Sequence, residues 1–235
     1  MKTIFKTIDG KHGIFLIPSI DNFIYKSMDV YKVWEEQSID KCKTLLNKES
    51  VVVEIGSHVG THTVPLAKMC SYVFAFEMQR VVYQTLNANL ILNGCLNVET
   101  FLSAVSNENK IVKFKEVDFL KNEEHKVNTG NMKIEIMSGD TGIHTHVVTL
   151  DEKLKDIKQI DLIKIDAEGH ELPVLQGAKN LIEKHKPYIL TEFGDSNLTD
   201  IKVFLKNYEF EDLSDVIPGT RILNKVLLCK PKEKV

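Results

Sequence analysis

Residues 51–77 read VVVEIGSHVGTHTVPLAKMCSYVFAFE. The stretch opens on a short apolar run of the buried-strand type, broken by Glu54. A small polar loop follows, with Gly56 and Gly60. Residues 61–70 fit a helix, because Pro65 falls in the first turn, where its missing N–H costs no hydrogen bond. A second apolar run, YVFAFE, ends at Glu77. Strand, loop, helix and strand in this order predict a parallel sheet covered by helices.

The pattern continues on both sides. Residues 81–94 form a helix stopped at Gly94, and VETFLSAVS is a third strand. DLIKIDAEG and PYILTEF are further buried strands, separated by the helical ELPVLQGAKNLIEKH. Residues 150–157 and 198–207 are helical, and YEFEDLSD with RILNKVLLCKP reads as an antiparallel pair. At the N-terminus, residues 1–20 suggest a hairpin turning at Asp9-Gly10, and residues 29–46 have broadly helical spacing. Residues 1–46 are thus an extension, and residues 106–149 a polar insertion with strands at KIVKFKEV and KIEIM. No repeat or linker divides the 235 residues, so one domain is expected.

Hydrophobic residues make up 43% and charged residues 27%, as in globular proteins. A net charge of −3 gives no basic field for nucleic acid or an anionic membrane. The four cysteines form no CxxC pair and read as reduced thiols in a cytoplasmic setting. No run has signal-peptide or membrane-span character.

Parallel sheets bind ligands beyond the C-terminal ends of their strands. Glu54, Gly56, Glu77, Ser103, Asp166, Glu168 and Glu192 all fall there. The glycine spacing is GxxxG, so the dinucleotide fingerprint is absent. An acid that ends the second strand suits ribose hydroxyls, since a carboxylate only accepts hydrogen bonds. Glu54 is suited to a cationic aminoacyl group. Together these are the needs of S-adenosylmethionine; a glycine-rich turn of some other α/β protein is the alternative.

The block DLIKIDAEGHELPVLQGAKNLIEKHKPYILTEF resembles the signature of the FkbM-type S-adenosylmethionine-dependent methyltransferases. VVVEIGSHVGTHTVPLA resembles their cofactor loop, YVFAFEMQ their acidic second strand, LNANLILNG their asparagine-bearing helix and VVTLDEKL their step before the fourth motif. The resemblance covers residues 28–193. Glu54 stands where the family usually has aspartate, and Met78 where it usually has proline. The resemblance implies a class I Rossmann-like α/β fold, with a mostly parallel seven-stranded sheet, helices on both faces and an antiparallel C-terminal edge. It also implies O-methylation of a sugar, sugar nucleotide, glycan or other small molecule. Glu54, Gly56, His58, Gly60 and Thr61 would line the methionine and ribose side. Glu77 and Met78 would hold ribose and adenine, Ser103 and Ala104 would sit at the adenine, and Asp166 would close the site.

An acceptor hydroxyl must lose its proton, so a base or a metal near it is useful. Asp166, Glu168, His170 and Glu171 lie within six residues. His170 is the first choice of base, its ordinary pKa of about 6.5 suiting proton transfer near neutrality; capping the helix at Glu171 is its alternative role. Glu168, Glu192, His144 and Asn128 are candidate acceptor contacts. Asn128, Gly130 and Asn131 either cover the acceptor or belong to a surface loop. Asp166 with Glu168 or Glu192 would suit Mg²⁺, which is possible but not favoured. The pairs His58/His62 and His144/His146 have no evident third ligand, so zinc is disfavoured too. Trp34 and Tyr31 are expected to pack in the core rather than stack on a sugar. The competing readings are an RNA or protein methyltransferase and a non-catalytic cofactor-binding module. The sequence leaves the oligomeric state open.

Overall fold

The computed structural model of the chain describes residues 4–21, 23–114, 117, 119, 128–130, 142–216 and 223–232. In chain order, β1 (Phe5–Gly10) and β2 (Gly13–Pro18) precede α1 (Ile24–Tyr31) and α2 (Glu36–Leu45). Then come β3 (Val51–Ile55), α3 (Thr63–Met69), β4 (Tyr72–Glu77), α4 (Arg80–Leu92) and β5 (Val98–Val105). β6 (Lys110–Phe114), β7 (Ile143–Val148), α5 (Leu150–Lys153), β8 (Leu162–Ile165), α6 (Glu171–Gln176) and α7 (Lys179–His185) follow. β9 (Tyr188–Glu192), α8 (Leu198–Phe204), β10 (Tyr208–Asp212), β11 (Asp215–Val216), β12 (Leu223–Asn224) and β13 (Val226–Pro231) complete the described elements.

The main sheet runs β10-β13-β9-β8-β3-β4-β5-β7-β6. Its first seven strands are the seven-stranded sheet of the class I methyltransferase fold, parallel from β9 to β5 with β13 and β10 antiparallel at the edge. β7 pairs parallel to β5 and β6 antiparallel to β7, so the sheet has nine strands rather than seven. HTHVV is therefore a sheet strand, which the sequence reading missed. Its alternation is the signal: His144 and His146 are exposed while Thr145 and Val147 are buried. The expected strand at KIEIM lies outside the described residues.

Other expectations change, and the helix expected over ELPVLQGAKNLIEKH is two, α6 and α7, broken at Gly177-Ala178. The hairpin turns at Lys11-His12, two residues later than expected, with Phe5 opposite Pro18. The helix expected over residues 29–46 is two helices. Lys32 (φ 63°) and Glu35 (φ 46°) take left-handed conformations that no helix continues through.

Each sheet face builds its own core. Val52, Val73, Ala75, Leu162, Leu190 and Leu228 pack beneath α3, α4 and the hairpin. Val53, Phe74, Phe76, Ile163, Ile189 and Leu227 pack against α6, α7 and α8. Successive residues alternate between the faces, as strand geometry requires.

The hairpin is held to this body by asparagines of α4. The fully buried Asn89 accepts from Leu16 N at 2.6 Å and donates to Leu16 O at 3.0 Å and Val59 O at 2.7 Å. Asn93 pairs in the same way with the N–H and C=O of Ile14. Two side chains thus satisfy the open edge of β2, and Asn89 also fixes the loop after β3. Asn89→Leu should lower the unfolding free energy by at least about 1–3 kcal/mol, the cost of stranding buried backbone polar groups. A urea titration checks this: the midpoint should fall with the slope unchanged.

Candidate functional site

Strand order reverses between β3 and β8, since β4 lies on one side of β3 and β8 on the other. The chain leaves both strands in opposite directions, which opens a crevice at their C-terminal ends. The two exits touch. A Cβ on Gly56 (φ 77°) would lie 1.9 Å from the Asp166 carbonyl oxygen. Gly56 is therefore required by the neighbouring loop as well as by any ligand. Gly60 (φ 89°) is similar, since its Cβ would meet Leu86 of α4 at 2.8 Å; it does not line the crevice.

A cavity of about 410 Å³ fills the crevice, lined among others by Trp34, Glu35, Glu54, Lys164, Asp166 and Glu192. A second, of about 60 Å³, is lined by Phe76, Met78, Ser103, Ala104, Val105 and His170, among others. Both are bordered by Gly56, Glu77, Gln79, Gly130, Asp166 and Glu168.

Lys164 is the electrostatic centre of the larger cavity. In the β3–β8 register it stands opposite Glu54, so both side chains leave the sheet on the same face. Its ammonium lies 3.5 Å from Asp166 Oδ2. Burial works against its charge, but Asp166, Glu54, Glu35 and Glu192 outweigh burial and hold its pKa above that of an ordinary lysine. The carboxylates respond to the same crowding. Burial, then Asp166, lifts Glu35 to about 7, against Lys164 and a hydrogen bond from Asn224. Burial, then Asp166 and Glu35, raises Glu192 well above the usual range. Burial raises Glu54 as well, opposed by Lys164 and Thr63.

Glu54 accepts from Thr63 Oγ1 at 2.6 Å, and its Oε1 is buried without a partner. A buried carboxylate oxygen on a cavity wall is an acceptor for a cationic group. Glu77 accepts from His58 N at 3.0 Å and Gln79 N at 2.7 Å. Burial nevertheless lifts its pKa to about 7. As a carboxylate bordering both cavities it remains an acceptor for a ligand hydroxyl. Ser103 Oγ is also buried and unpartnered, beside the small cavity.

The loop after β3 is pinned from above. The fully buried Asp21 accepts from Ile24 N at 2.6 Å through one oxygen and from Thr129 Oγ1 at 2.5 Å through the other. Thr129 Oγ1 in turn accepts from His58 Nε2 at 2.9 Å, and Thr129 O accepts from Gln79. The His58 proton therefore sits on Nε2 and Nδ1 is the unpartnered acceptor. Burial lowers the His58 pKa. His58 (φ 48°), Glu35 (φ 46°) and Glu168 (φ 52°) are three non-glycine residues in left-handed conformations around one cavity. Such strain persists only where surrounding structure enforces it.

Of the sequence candidates, Glu54, Gly56, His58, Thr61, Glu77, Asn128, Asp166, Glu168 and Glu192 border the larger cavity. Met78, Ser103 and Ala104 border the smaller. His144 is not brought to either, because it points outward from β7 opposite Lys113. His170 does not cap α6 with its side chain: its Nε2 bonds to Ser106 Oγ at 2.9 Å, and it borders only the smaller cavity, which it shares with Glu77, Asp166 and Glu168. Burial and then Lys110 lower its pKa. Glu171 is used up structurally, accepting from Gly169 N and Asn197 Nδ2 at 2.8 Å each. Asn131 lies outside the described residues. Trp34 borders the larger cavity while packing on the core, whereas Tyr31 is exposed. Glu35, Lys164, Asp21, Gln79 and Thr129 were missed. Lys164 is marked by being the one charge in the otherwise apolar, fully buried run LIKI; nothing local marks Glu35.

Among the described residues, no three His, Cys, Asp or Glu side chains are grouped to hold a metal ion. Lys164 supplies a cation among these carboxylates. Among the described residues, too, no helix is long and apolar enough to cross a membrane.

A family model described as the methyltransferase FkbM domain matches residues 54–215. The hexuronic acid methyltransferase AglP of Haloferax volcanii is 28% identical over 167 residues, 66% of this chain and 63% of its own length. A tRNA(Phe) (4-demethylwyosine(37)-C(7)) aminocarboxypropyltransferase of Methanocaldococcus jannaschii is 27% identical over 168 residues, 68% of this chain and 66% of its own. The chain thus spans just under two thirds of the length of both curated relatives. The crystal structure of methyltransferase FkbM from Methylobacillus flagellatus shares the fold at a TM-score of 0.54 and 19% identity, over 77% of this chain and 43% of that one.

The raised carboxyls have a consequence for stability. Glu77 takes up a proton near pH 7 in the folded chain and near 4.5 when unfolded. Its contribution is fully present below pH 4.5 and is lost as pH rises through about 7. The histidines act oppositely: burial lowers His58 and His62, so their contribution fades as pH falls below 6.5. The test is therefore a difference. Between pH 4.5 and 7.5, Glu77→Gln should gain stability relative to the native ligand-free chain, read as melting temperature against pH. Parallel curves would remove Glu77 from the titrating set.

Proposed function

The chain belongs to the family of the methyltransferase FkbM domain, and we propose that it transfers a methyl group from S-adenosylmethionine to a hydroxyl oxygen of a sugar or glycan, a uronic acid being the favoured acceptor. The observation that carries this reading is the pair of cavities sharing Gly56, Glu77 and Asp166, with a buried carboxylate oxygen of Glu54 unpartnered beside them.

The residues fit the cofactor. Glu54 Oε1 would take its ammonium group, with no competing donor on that oxygen. Glu77, held by two backbone amides, would accept from the ribose diol. The narrow slot between Phe76, Met78, Ala104 and Val105 would take the adenine ring, with Ser103 Oγ as a polar partner. Bound S-adenosylmethionine supplies an electrophilic methyl group on a sulfonium sulfur.

The rest of the larger cavity would take the acceptor. Phe23, Trp34 and Phe193 offer apolar faces, and Asp166, Glu168 and Glu192 offer hydroxyl acceptors. Flat apolar faces with flanking carboxylates suit a sugar ring. Lys225, paired at 2.6 Å with the exposed Asp195, could exchange that partner for an acceptor carboxylate at little cost. The hexuronic acid methyltransferase AglP supports the same acceptor class. The tRNA-modifying relative supports RNA instead. The cavity, however, carries six carboxylate side chains, Glu35, Glu54, Glu77, Asp166, Glu168 and Glu192, against Lys164 and Lys225. One partly exposed lysine, Lys225, suits the single carboxylate of a uronic acid rather than the row of phosphates of a polynucleotide. The chain's work at the reacting centre is to orient the hydroxyl and exclude water, since alignment alone supplies a large share of such accelerations.

Incubation with S-adenosylmethionine and methyl glycosides or nucleotides of glucuronic acid and glucose should give singly methylated sugar by mass spectrometry. Methylation of tRNA transcripts without any sugar product would overturn the acceptor assignment, and cofactor binding without turnover on either would favour a binding module. Glu77→Ala should weaken cofactor binding by about 1.5–3 kcal/mol, the range for a charged hydrogen-bond partner. Unchanged calorimetric affinity in a folded variant would remove the ribose assignment.

A further inference from the structure

We propose that Glu35, supplied by the N-terminal segment outside the matched domain, is the base that takes the proton from the acceptor hydroxyl. The proposal rests on the methyl-transfer reading above and assigns that site a base other than His170, whose Nε2 is bonded to Ser106.

The geometry carries the assignment. Glu35 borders the larger cavity beside Trp34, whereas His170 borders only the smaller one. Its side chain is 8% exposed, so water does not screen it. It stands in the break between α1 and α2 in a left-handed conformation, φ 46°. A non-glycine residue held there is strained, and it lies on the cavity wall rather than within either helix. The groups that face it are known on every side. Lys164 and Asp166 come from β8 and its exit, Glu168 from the loop beyond, and Asn224 from β12. Glu192 comes from the end of β9. His62 Nε2 lies 3.6 Å away on the side of the loop before α3. His62 is itself driven neutral by burial.

This surrounding suits a base. Burial, and then the neighbouring carboxylates, hold Glu35 near 7, where it is poised to accept a hydroxyl proton at neutral pH. Lys164 stays charged and offsets the repulsion. The step balances. The O–H proton passes to a Glu35 carboxylate oxygen as the hydroxyl oxygen's lone pair forms the new C–O bond. The C–S bonding pair remains on the departing sulfur, and the proton leaves Glu35 for solvent.

The test has two readouts. In the first, the ligand-free chain is labelled with ¹³C at glutamate carboxyls and titrated by NMR, comparing the native chain with Glu35→Gln. A resonance titrating near 7 and missing from the variant is expected; a Glu35 that titrates in the ordinary carboxylate range overturns the proposal whatever the acceptor is. In the second, turnover on methyl glucuronoside is followed against pH at saturating S-adenosylmethionine, so that Glu77 titration does not enter through cofactor binding. Glu35→Gln should lose about 10²–10⁴-fold in kcat, lose the fall in rate below pH 7, and keep cofactor affinity. That retained affinity shows that the variant is folded. A variant with full turnover, or an acidic limb lost in Glu192→Gln but kept in Glu35→Gln, overturns the proposal. A normal Glu35 titration near 7 with no methylation of any sugar would instead reject the sugar reading and leave a poised base for another hydroxyl.

Discussion

Lys164 and Glu54, opposite one another on adjacent parallel strands and both buried, set the constraint on which the site depends. A lone ammonium in a core costs several kcal/mol, and removing one partner of a buried pair leaves the other charge uncompensated. The pairing register prevents both outcomes, because a slip of one residue would turn either side chain to the opposite face. On that opposite face lie Val53, Ile55, Ile163 and Ile165, an apolar layer with no group to meet a charge. Register and electrostatics therefore specify each other. The same lysine lets Glu35, Asp166 and Glu192 gather in one cavity, since each contributes to holding its charge.

The second constraint is the contact between the two strand exits. Gly56 lies so close to the Asp166 carbonyl that no side chain fits between them, and Asp166 N in turn donates to Ile55 O at 3.1 Å. The crevice is thus a rigid edge rather than two independent loops. Its roof is tied down by the buried Asp21, which joins the start of α1, Thr129 and, through Thr129, His58. Strain at His58 is tolerated because these ties leave its backbone few alternatives.

Much of this was legible in the sequence, for reasons that can be named. Strands β3, β4, β8 and β9 are buried on both faces, so they appear as continuous apolar runs, and any acid at their ends stands out. Glu54, Glu77, Asp166 and Glu192 were found in that way and all border the crevice. β7 was not found, because its outward histidines mask a buried alternation of only two positions, and the histidine read as an acceptor contact was one of them. His170 is a different case. Its position after β8 is right for chemistry, but the turn at Glu168 and Gly169 swings it toward Ser106, and a hydrogen bond across 64 residues has no local trace. Glu35 is the converse. In sequence it belongs to a run, WEEQ, that resembles an exposed helix start, and only the reversal of the backbone at Lys32 and Glu35 turns it inward.

That contrast bears on how such a domain comes to differ in substrate while keeping its chemistry. The groups suited to the cofactor, from Glu54 to Ser103, lie on the sheet and its exits, within the region that matches the family model. The walls of the remaining space come partly from other places: Phe23, Trp34 and Glu35 from the N-terminal segment and Asn224 and Lys225 from the antiparallel edge lie outside residues 54–215 and join Asp166, Glu168, Glu192 and Phe193 from within them. The sheet exits are fixed by register and by contacts such as Gly56 on Asp166, so few substitutions are possible there. The peripheral segments are joined through side chains, Asp21 to Thr129 and Asn89 to Leu16, and can change shape without disturbing a strand. A division of this kind lets the periphery be rebuilt for a new acceptor around an unchanged crevice, and it explains why the motif that reveals the domain says so little about the acceptor.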